Sequence, residues 1–253
     1  MSASADPWFV EAFRSQYRRV YPHRDLESAR SEVRHLIEAG LPAPTLDLCC
    51  GFGRHTLALR EEGRAAVGMD LSTDLLREAP RLPRGPELLG GRLARADARR
   101  LPFRAGSFAG VCMLFSSFGY FDDRANAGVL SEVRRVLAPG GVAVFDLMNA
   151  ERIRSSLVPE SHTERDGLTL RERRALVDGG RRVTKEVTLT DPSGRTSSWR
   201  EDVRLFDPAE FDALCAEAGL TTFRREGDFA PTAFGPTSPR QIVWTRRETA
   251  PPA

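Results

Sequence analysis

The stretch Leu46-Asp47-Leu48-Cys49-Cys50-Gly51-Phe52-Gly53-Arg54-His55 sets the frame for the whole 253-residue chain. It has the form of a strand feeding a glycine-rich turn that opens a helix. Glycines at such a turn let a ligand approach the backbone, and the first N–H groups of the helix have no acceptor of their own. About twenty residues on, a second apolar run ends in Val67-Gly68-Met69-Asp70, which places a carboxylate where a ribose diol would lie. A third acid follows in Ala96-Asp97-Ala98, ahead of Leu101-Pro102-Phe103, where it could take an adenine amino group. Thr56 stands where a dinucleotide fingerprint has its third glycine, which argues against the close helix packing that accompanies a bound pyrophosphate.

Outward from this stretch, short apolar runs at 46–50, 65–69, 88–94, 109–115 and 141–147 alternate with helical patterns at 54–62, 73–79 and 126–137. That alternation predicts a doubly wound α/β fold, a parallel sheet with helices on both faces. Burial on both faces accounts for the unbroken apolar run at 111–115. Upstream, Asp6-Pro7 starts a helix carrying Phe9, Val10, Phe13, Tyr17, Val20 and Tyr21 up to Pro22. A second helix runs from Asp25 to Gly40. After Asn149 the period changes to two, through Leu168, Leu170 and Leu176, then Val183, Val187 and Leu189, then Trp199, Val203 and Leu205, with turns at 178–180 and 191–194. We expect a small antiparallel β insert there, after strand five. Asp207, Pro208 and Glu210 start a last helix that ends at Gly219, and 222–225 with 241–245 supply a closing strand pair, for seven strands in the main sheet. Residues 250–253 read as a frayed tail. The division expected is a helical lid at 1–40, a core at 41–149 and 207–247, and an insert covering the substrate at 150–206.

Composition narrows the function. With 41% apolar and 28% charged residues the chain is globular, and 37 basic against 35 acidic side chains leave no basic field for a nucleic acid or an anionic membrane. Lys185 is its only lysine, and the arginines are scattered among acids as on solvated faces. The four cysteines form no C-x-x-C pair, which fits a reducing compartment. No apolar run approaches the roughly 18 residues of a membrane span, and residues 1–6 lack a signal-peptide pattern, so a cytoplasmic protein is expected.

On these residues the chain resembles the class I S-adenosylmethionine (SAM) dependent methyltransferases from about residue 17 to 246. Asp47 to Gly53 is similar to their D-x-G-x-G-x-G loop, with Cys49 in place of the first glycine, where its side chain narrows the space beside the methionine moiety. Leu137-Ala138-Pro139-Gly140-Gly141 is similar to their turn before strand five. The resemblance implies a Rossmann-like sheet, SAM as cofactor, and a cofactor-binding set of Tyr17, Asp47, Cys49, Gly51, Gly53, Arg54, Asp70, Leu71, Asp97, Ala98 and Phe115. In that set Asp70 takes the ribose, Asp97 with Ala98 the adenine, and Tyr17 and Arg54 the cofactor carboxylate. The segment Cys112-Met113-Leu114-Phe115-Ser116-Ser117-Phe118-Gly119-Tyr120 is similar to that of amino-sugar and glycine-type N-methyltransferases. This implies a small-molecule acceptor, methylated at an amine nitrogen or otherwise at a hydroxyl oxygen, with Tyr120 and then Ser116 as the residues of the catalytic step.

Absent motifs agree. No Asn-Pro-Pro-Tyr or Asp-Pro-Pro-Tyr follows strand four and no Pro-Cys pair occurs, so methylation of nucleic-acid bases is not expected. Asp146 and Asn149 alone make a poor magnesium site, and no metal is expected. Tyr120, Phe121 and Tyr17 have packing as their alternative reading. His55 and His162 read as surface residues, Cys112 as core, and Trp199 as either cavity wall or cover of the small sheet. Two other classes stay open: a nicotinamide-dependent oxidoreductase, disfavoured by Thr56 and Asp97, and a SAM-binding protein without transfer activity. The N-terminal helix and the insert are the surfaces on which a homodimer would pair.

Overall fold

A computed structural model of the chain describes residues 7–14, 16–22 and 24–249. Asp6 and the tail at 250–253 lie outside them. Strands β1 (Thr45–Leu48), β2 (Ala66–Asp70), β3 (Leu93–Arg95), β4 (Phe108–Met113) and β5 (Leu137–Met148) pair in parallel in the order β3-β2-β1-β4-β5. β12 (Arg240–Arg247) lies antiparallel to β5, and β10 (Leu220–Asp228) antiparallel to β12. A short eighth strand, β11 (Ala230–Ala233), folds onto the end of β10 and extends the expected seven. From β1 the chain moves outward through β2 and β3 and then crosses back to β4 on the other side of β1, so a crevice opens at the carboxyl ends of these strands.

Helices α3 (Leu26–Glu38) and α4 (Arg54–Glu61) share a buried cluster in which Val33, Leu36 and Leu59 meet Cys112, Val144 and Trp244. In a second cluster α7 (Asp123–Val136) and α9 (Pro208–Glu217) bring Val129, Val133 and Phe211 against Leu46, Val111 and Phe145. Successive residues of β4 thus enter different clusters, which is why the run is apolar throughout. Each fully buried side chain of this size contributes about 1.5–3 kcal/mol. The Asp25 side chain caps α3 by accepting the Ser28 N–H at 2.8 Å, and Glu210 accepts the Asp207 N–H at 3.0 Å at the start of α9.

Four expectations are corrected. The lead-in helix is two helices, α1 (Trp8–Ala12) and α2 (Tyr17–Val20), because the Phe13 carbonyl accepts the Ser72 hydroxyl at 2.5 Å instead of continuing the helix. The run at 88–94 is not one strand: Arg84, at φ 60°, turns the chain into α6 (Gly85–Leu89), and only β3 remains extended. Thr56 does not open the packing between α4 and β2. Its hydroxyl donates to Asp47 at 2.6 Å, and a Cβ on Gly68 would come within 2.5 Å of it, so the close approach is made from the strand side. The insert has four antiparallel strands rather than three: β6 (Glu160–Arg165), β7 (Leu168–Val177), β8 (Arg182–Thr190) and β9 (Thr196–Arg204). β6 is exposed along almost its whole length and carries no apolar alternation to betray it.

The insert packs on the lead-in helices, with Val187, Leu189 and Trp199 against Ala12 and Val20, while Val183, Val203 and Leu205 cluster with Trp8 and Tyr120. Tyr21 donates to Glu201 at 2.6 Å, and Lys185 pairs with the same carboxylate at 2.9 Å. The Arg204 N–H donates to the Gly119 carbonyl at 2.8 Å. Gly119 sits at φ +96°, and a Cβ there would meet the Arg204 carbonyl oxygen at 2.7 Å, so only glycine fits.

Candidate active site

The first loop after β1 alternates left-handed residues: Cys49 at φ 61°, Gly51 at 58° and Gly53 at 82°. This winding brings the Gly51 N–H to the Asp70 carboxylate at 2.7 Å, while the Ser72 N–H reaches its other oxygen at 2.7 Å. Asp70 is thereby fixed at the end of β2 with lone pairs to spare on both oxygens. Burial pushes its pKa up, and the two backbone donors oppose that shift. Cys49 takes a conformation that costs a side-chain-bearing residue about 1–2 kcal/mol. Burial and the Asp70 and Asp47 charges raise its thiol well above the usual range, so it is inert as a nucleophile.

Asp70 faces a cavity of about 290 Å3 at the carboxyl ends of β1, β2 and β4. Its wall carries Asp70, Leu71, Asp97 and Ala98, the rings of Phe9, Phe13, Tyr120 and Phe121, and Cys49, Gly51, Tyr17 and Phe115. Asp97 is not free at that wall: Arg99 donates to both of its oxygens and holds its carboxyl below the usual range. Ser117, not Ser116, lines the cavity. Phe115 and Ser116 are both left-handed, at φ 59° and 55°, and this double turn, which sequence cannot show, advances the facing position by one residue. Gly53 is also off the wall; its role is conformational, at the N-terminus of α4.

A smaller recess of about 40 Å3 adjoins the cavity and is lined by Asp47, Arg54, Arg24 and Phe115. The guanidinium carbons of Arg54, Arg240 and Arg24 lie 4.1, 4.4 and 4.8 Å from the centre of the Phe115 ring. Arg54 pairs with Glu32 at 3.1 Å and Arg240 with Asp146 at 2.7 Å, whereas Arg24 donates to the Tyr17 hydroxyl and makes no ion pair among the described residues. Burial, with Arg54 and Arg240 adding to it, pulls the Arg24 pKa down to about 10. Arg54 Nη2 and Arg24 Nε are buried with no hydrogen bond to any described residue. A carboxylate between them would satisfy both donors. Arg24 was invisible from spacing, one residue ahead of a helix cap.

His55 is not on the surface. It is buried, with Nε2 at 2.6 Å from Glu32, and burial followed by the Arg54 charge holds its pKa below 6.5. The unfolded chain therefore takes up this proton as pH falls below about 6.5 while the folded chain does not, so stability present above that value is lost on acidification. We expect the unfolding free energy, measured by denaturant titration, to fall from pH 7 to 5.5 by up to about 1.4 kcal/mol per pH unit, and His55→Gln to flatten that slope. An unchanged slope in the variant would refute this. Trp199 is buried between the insert and the lead-in helices rather than on the cavity wall, His162 is exposed on β6, and Cys112 is core. Asp146 and Asn149 both have structural partners, Asn149 Nδ2 donating to the carbonyls of Gly235, Pro236 and Ser238. Among the described residues no helix is long and apolar enough to cross a membrane.

A doubly wound sheet with a cavity faced by Asp70 at its switch point, and a recess of buried unpaired arginine donors beside it, has the form of a nucleoside-cofactor site. A family profile described as "Methyltransferase domain" matches residues 45–141. The chain is 31% identical over 215 residues to the dTDP-3-amino-3,4,6-trideoxy-alpha-D-glucopyranose N,N-dimethyltransferase of Streptomyces venezuelae, covering 81% of this chain and 87% of the relative. Its fold is similar to that of the CcbJ methyltransferase from Streptomyces caelestis, with TM-score 0.77, 20% identity and coverage of 94% and 98% of the two chains. It is also similar to the SAM-bound amino pentose methyltransferase CalS10 from Micromonospora echinaspora, with TM-score 0.64, 22% identity and coverage of 91% and 96%. The chain belongs to the class I SAM-dependent methyltransferases. It is an enzyme of that class with SAM as its cofactor, and nothing supports the oxidoreductase alternative.

Proposed function

We propose that the chain methylates an amine nitrogen of a small molecule of amino-sugar type, without a metal. The observation that carries this is the chemistry of the cavity wall. Its carboxylates, Asp70, Asp74 and Asp97, belong to the side chains around the nucleoside end, and no described residue on the wall is a histidine or glutamate. Burial raises the Tyr120 pKa, so its phenol stays protonated and is no base at neutral pH. A hydroxyl acceptor would lack the base it needs, whereas an amine arriving neutral needs only alignment. The name of the Streptomyces venezuelae relative, an N,N-dimethyltransferase of an amino sugar, supports the same reading.

Asp70 and Leu71 would hold the ribose, Asp97 and Ala98 the adenine, the Gly51 loop the backbone approach, and Arg24, Arg54 and Tyr17 the carboxylate. SAM bound there supplies a methyl group on a sulfonium, open to in-line displacement. Tyr120 then orients the acceptor, with Ser117 beside it in the place first given to Ser116. Phe13 stacks on Tyr120 at 5.6 Å and 18°, and Trp8 meets its edge at 4.8 Å. This aromatic wall excludes water and stabilises the positive charge that develops on the acceptor nitrogen. In this proposal residues 1–40 and 150–206 cover the acceptor above a core of 41–149 and 207–247. The cytoplasm is the proposed compartment, supported by four unpaired cysteines, and the free edge of β6 is the surface on which a homodimer would pair.

The test is SAM turnover against paired amino and hydroxy sugars, read by product mass, alongside calorimetry with S-adenosylhomocysteine. Methylated product from the amine alone is expected. Product from the hydroxy sugar alone would overturn the assignment, and homocysteine-product binding without any transfer would favour a binder that lacks activity.

A further inference from the structure

Asp146 lies on β5, fully buried, and its side chain does not line either recess of the site. Its Oδ2 accepts the Phe115 N–H at 2.7 Å and Arg240 Nη1 at 2.7 Å, and its backbone carbonyl accepts the Ser116 N–H at 3.0 Å. One residue thus takes both N–H groups of the two consecutive left-handed residues after β4. Such a pair of non-glycine residues persists only where the surroundings impose it. Arg240, from β12, closes the arrangement: its guanidinium pairs with Asp146, lies 4.4 Å from the centre of the Phe115 ring, and reaches Asp228 at 3.8 Å. The same ring bears the guanidinium groups of Arg54 and Arg24. Where Phe115 sits therefore fixes where those two arginines present their unpaired donors.

We infer that Asp146 and Arg240 are positioning residues for the methionine end of the cofactor, acting through the Phe115–Ser116 turn. This rests on the reading that Arg24 and Arg54 hold the cofactor carboxylate. Neither residue lines the cavity or its recess, so their effect reaches the ligand through the Phe115–Ser116 turn and through the Arg240 charge felt by Arg24 and Arg54. The nucleoside end, held from the β1 and β2 loops, is independent of them.

The experiment compares two ligands by calorimetry: S-adenosylhomocysteine, which has the amino-acid end, and 5′-methylthioadenosine, which lacks it. Asp146→Asn and Arg240→Lys should each weaken the first by about tenfold or more, the scale of one hydrogen bond to a charged group, and leave the second unchanged. Arg240→Lys serves if Asp146→Asn does not fold. Equal weakening of both ligands, or of neither, overturns the inference. Arg24→Met separates the two levels: if it alone shifts the ratio, the positioning role falls while the site stands, and if it leaves the ratio unchanged, the carboxylate reading falls and the inference with it.

Discussion

Asp70→Ala is expected to cost the protein its cofactor. In the proposed site the carboxylate accepts from two ribose hydroxyls, and charge-assisted bonds of that kind are worth about 1.5–3 kcal/mol each. Losing both weakens binding by about 3–6 kcal/mol, or roughly 10²- to 10⁴-fold. A second loss adds to the first, because the same two oxygens bind the Gly51 and Ser72 N–H groups that shape the cofactor loop. Calorimetric titration of S-adenosylhomocysteine measures the effect, and a dissociation constant within a few-fold of the unaltered protein would remove Asp70 from the site.

Arg24→Met is the second large effect, and it should move two quantities in opposite directions. The guanidinium is enclosed by Tyr17, Tyr21 and Phe115 without a carboxylate partner among the described residues, and burial has already pulled its pKa down to about 10. Replacing an unpaired enclosed cation by an apolar chain of similar length relieves desolvation, so the melting temperature should hold or rise. Cofactor affinity should fall by about 10- to 100-fold, since the proposed charge-assisted contact to the cofactor carboxylate would be lost. A residue kept for stability would show the reverse pattern: a lower melting temperature with intact affinity.

Much of the fold was legible because the physics was local. The strand from Thr45, the glycine turn and the acid closing the next strand follow from apolar runs, turn chemistry and offset. What escaped depended on partners distant in sequence. β6 is recruited by β7 and needs no apolar face of its own. Phe13 leaves its helix because Ser72, 59 residues away, takes its carbonyl. The choice between Ser116 and Ser117 turns on two positive φ angles imposed from β5. His55 looked solvated at a helix start, but Glu32 on α3 gives it a buried partner. Arg24 and Arg240 had no motif at all; only the third dimension brings them to one phenyl ring.

The bond between Gly119 and Arg204 bears on how such enzymes can be recombined. The insert would be a convenient cassette for grafting a new acceptor preference, since it forms a sheet of its own. Yet its last strand is seated on the backbone next to Tyr120, at a glycine that tolerates no side chain. A graft that carries 150–206 alone would meet a foreign loop at that seam. Chimeras drawn to include 115–121 should keep the joint matched, making that short loop part of the inheritance of the insert rather than of the core it follows.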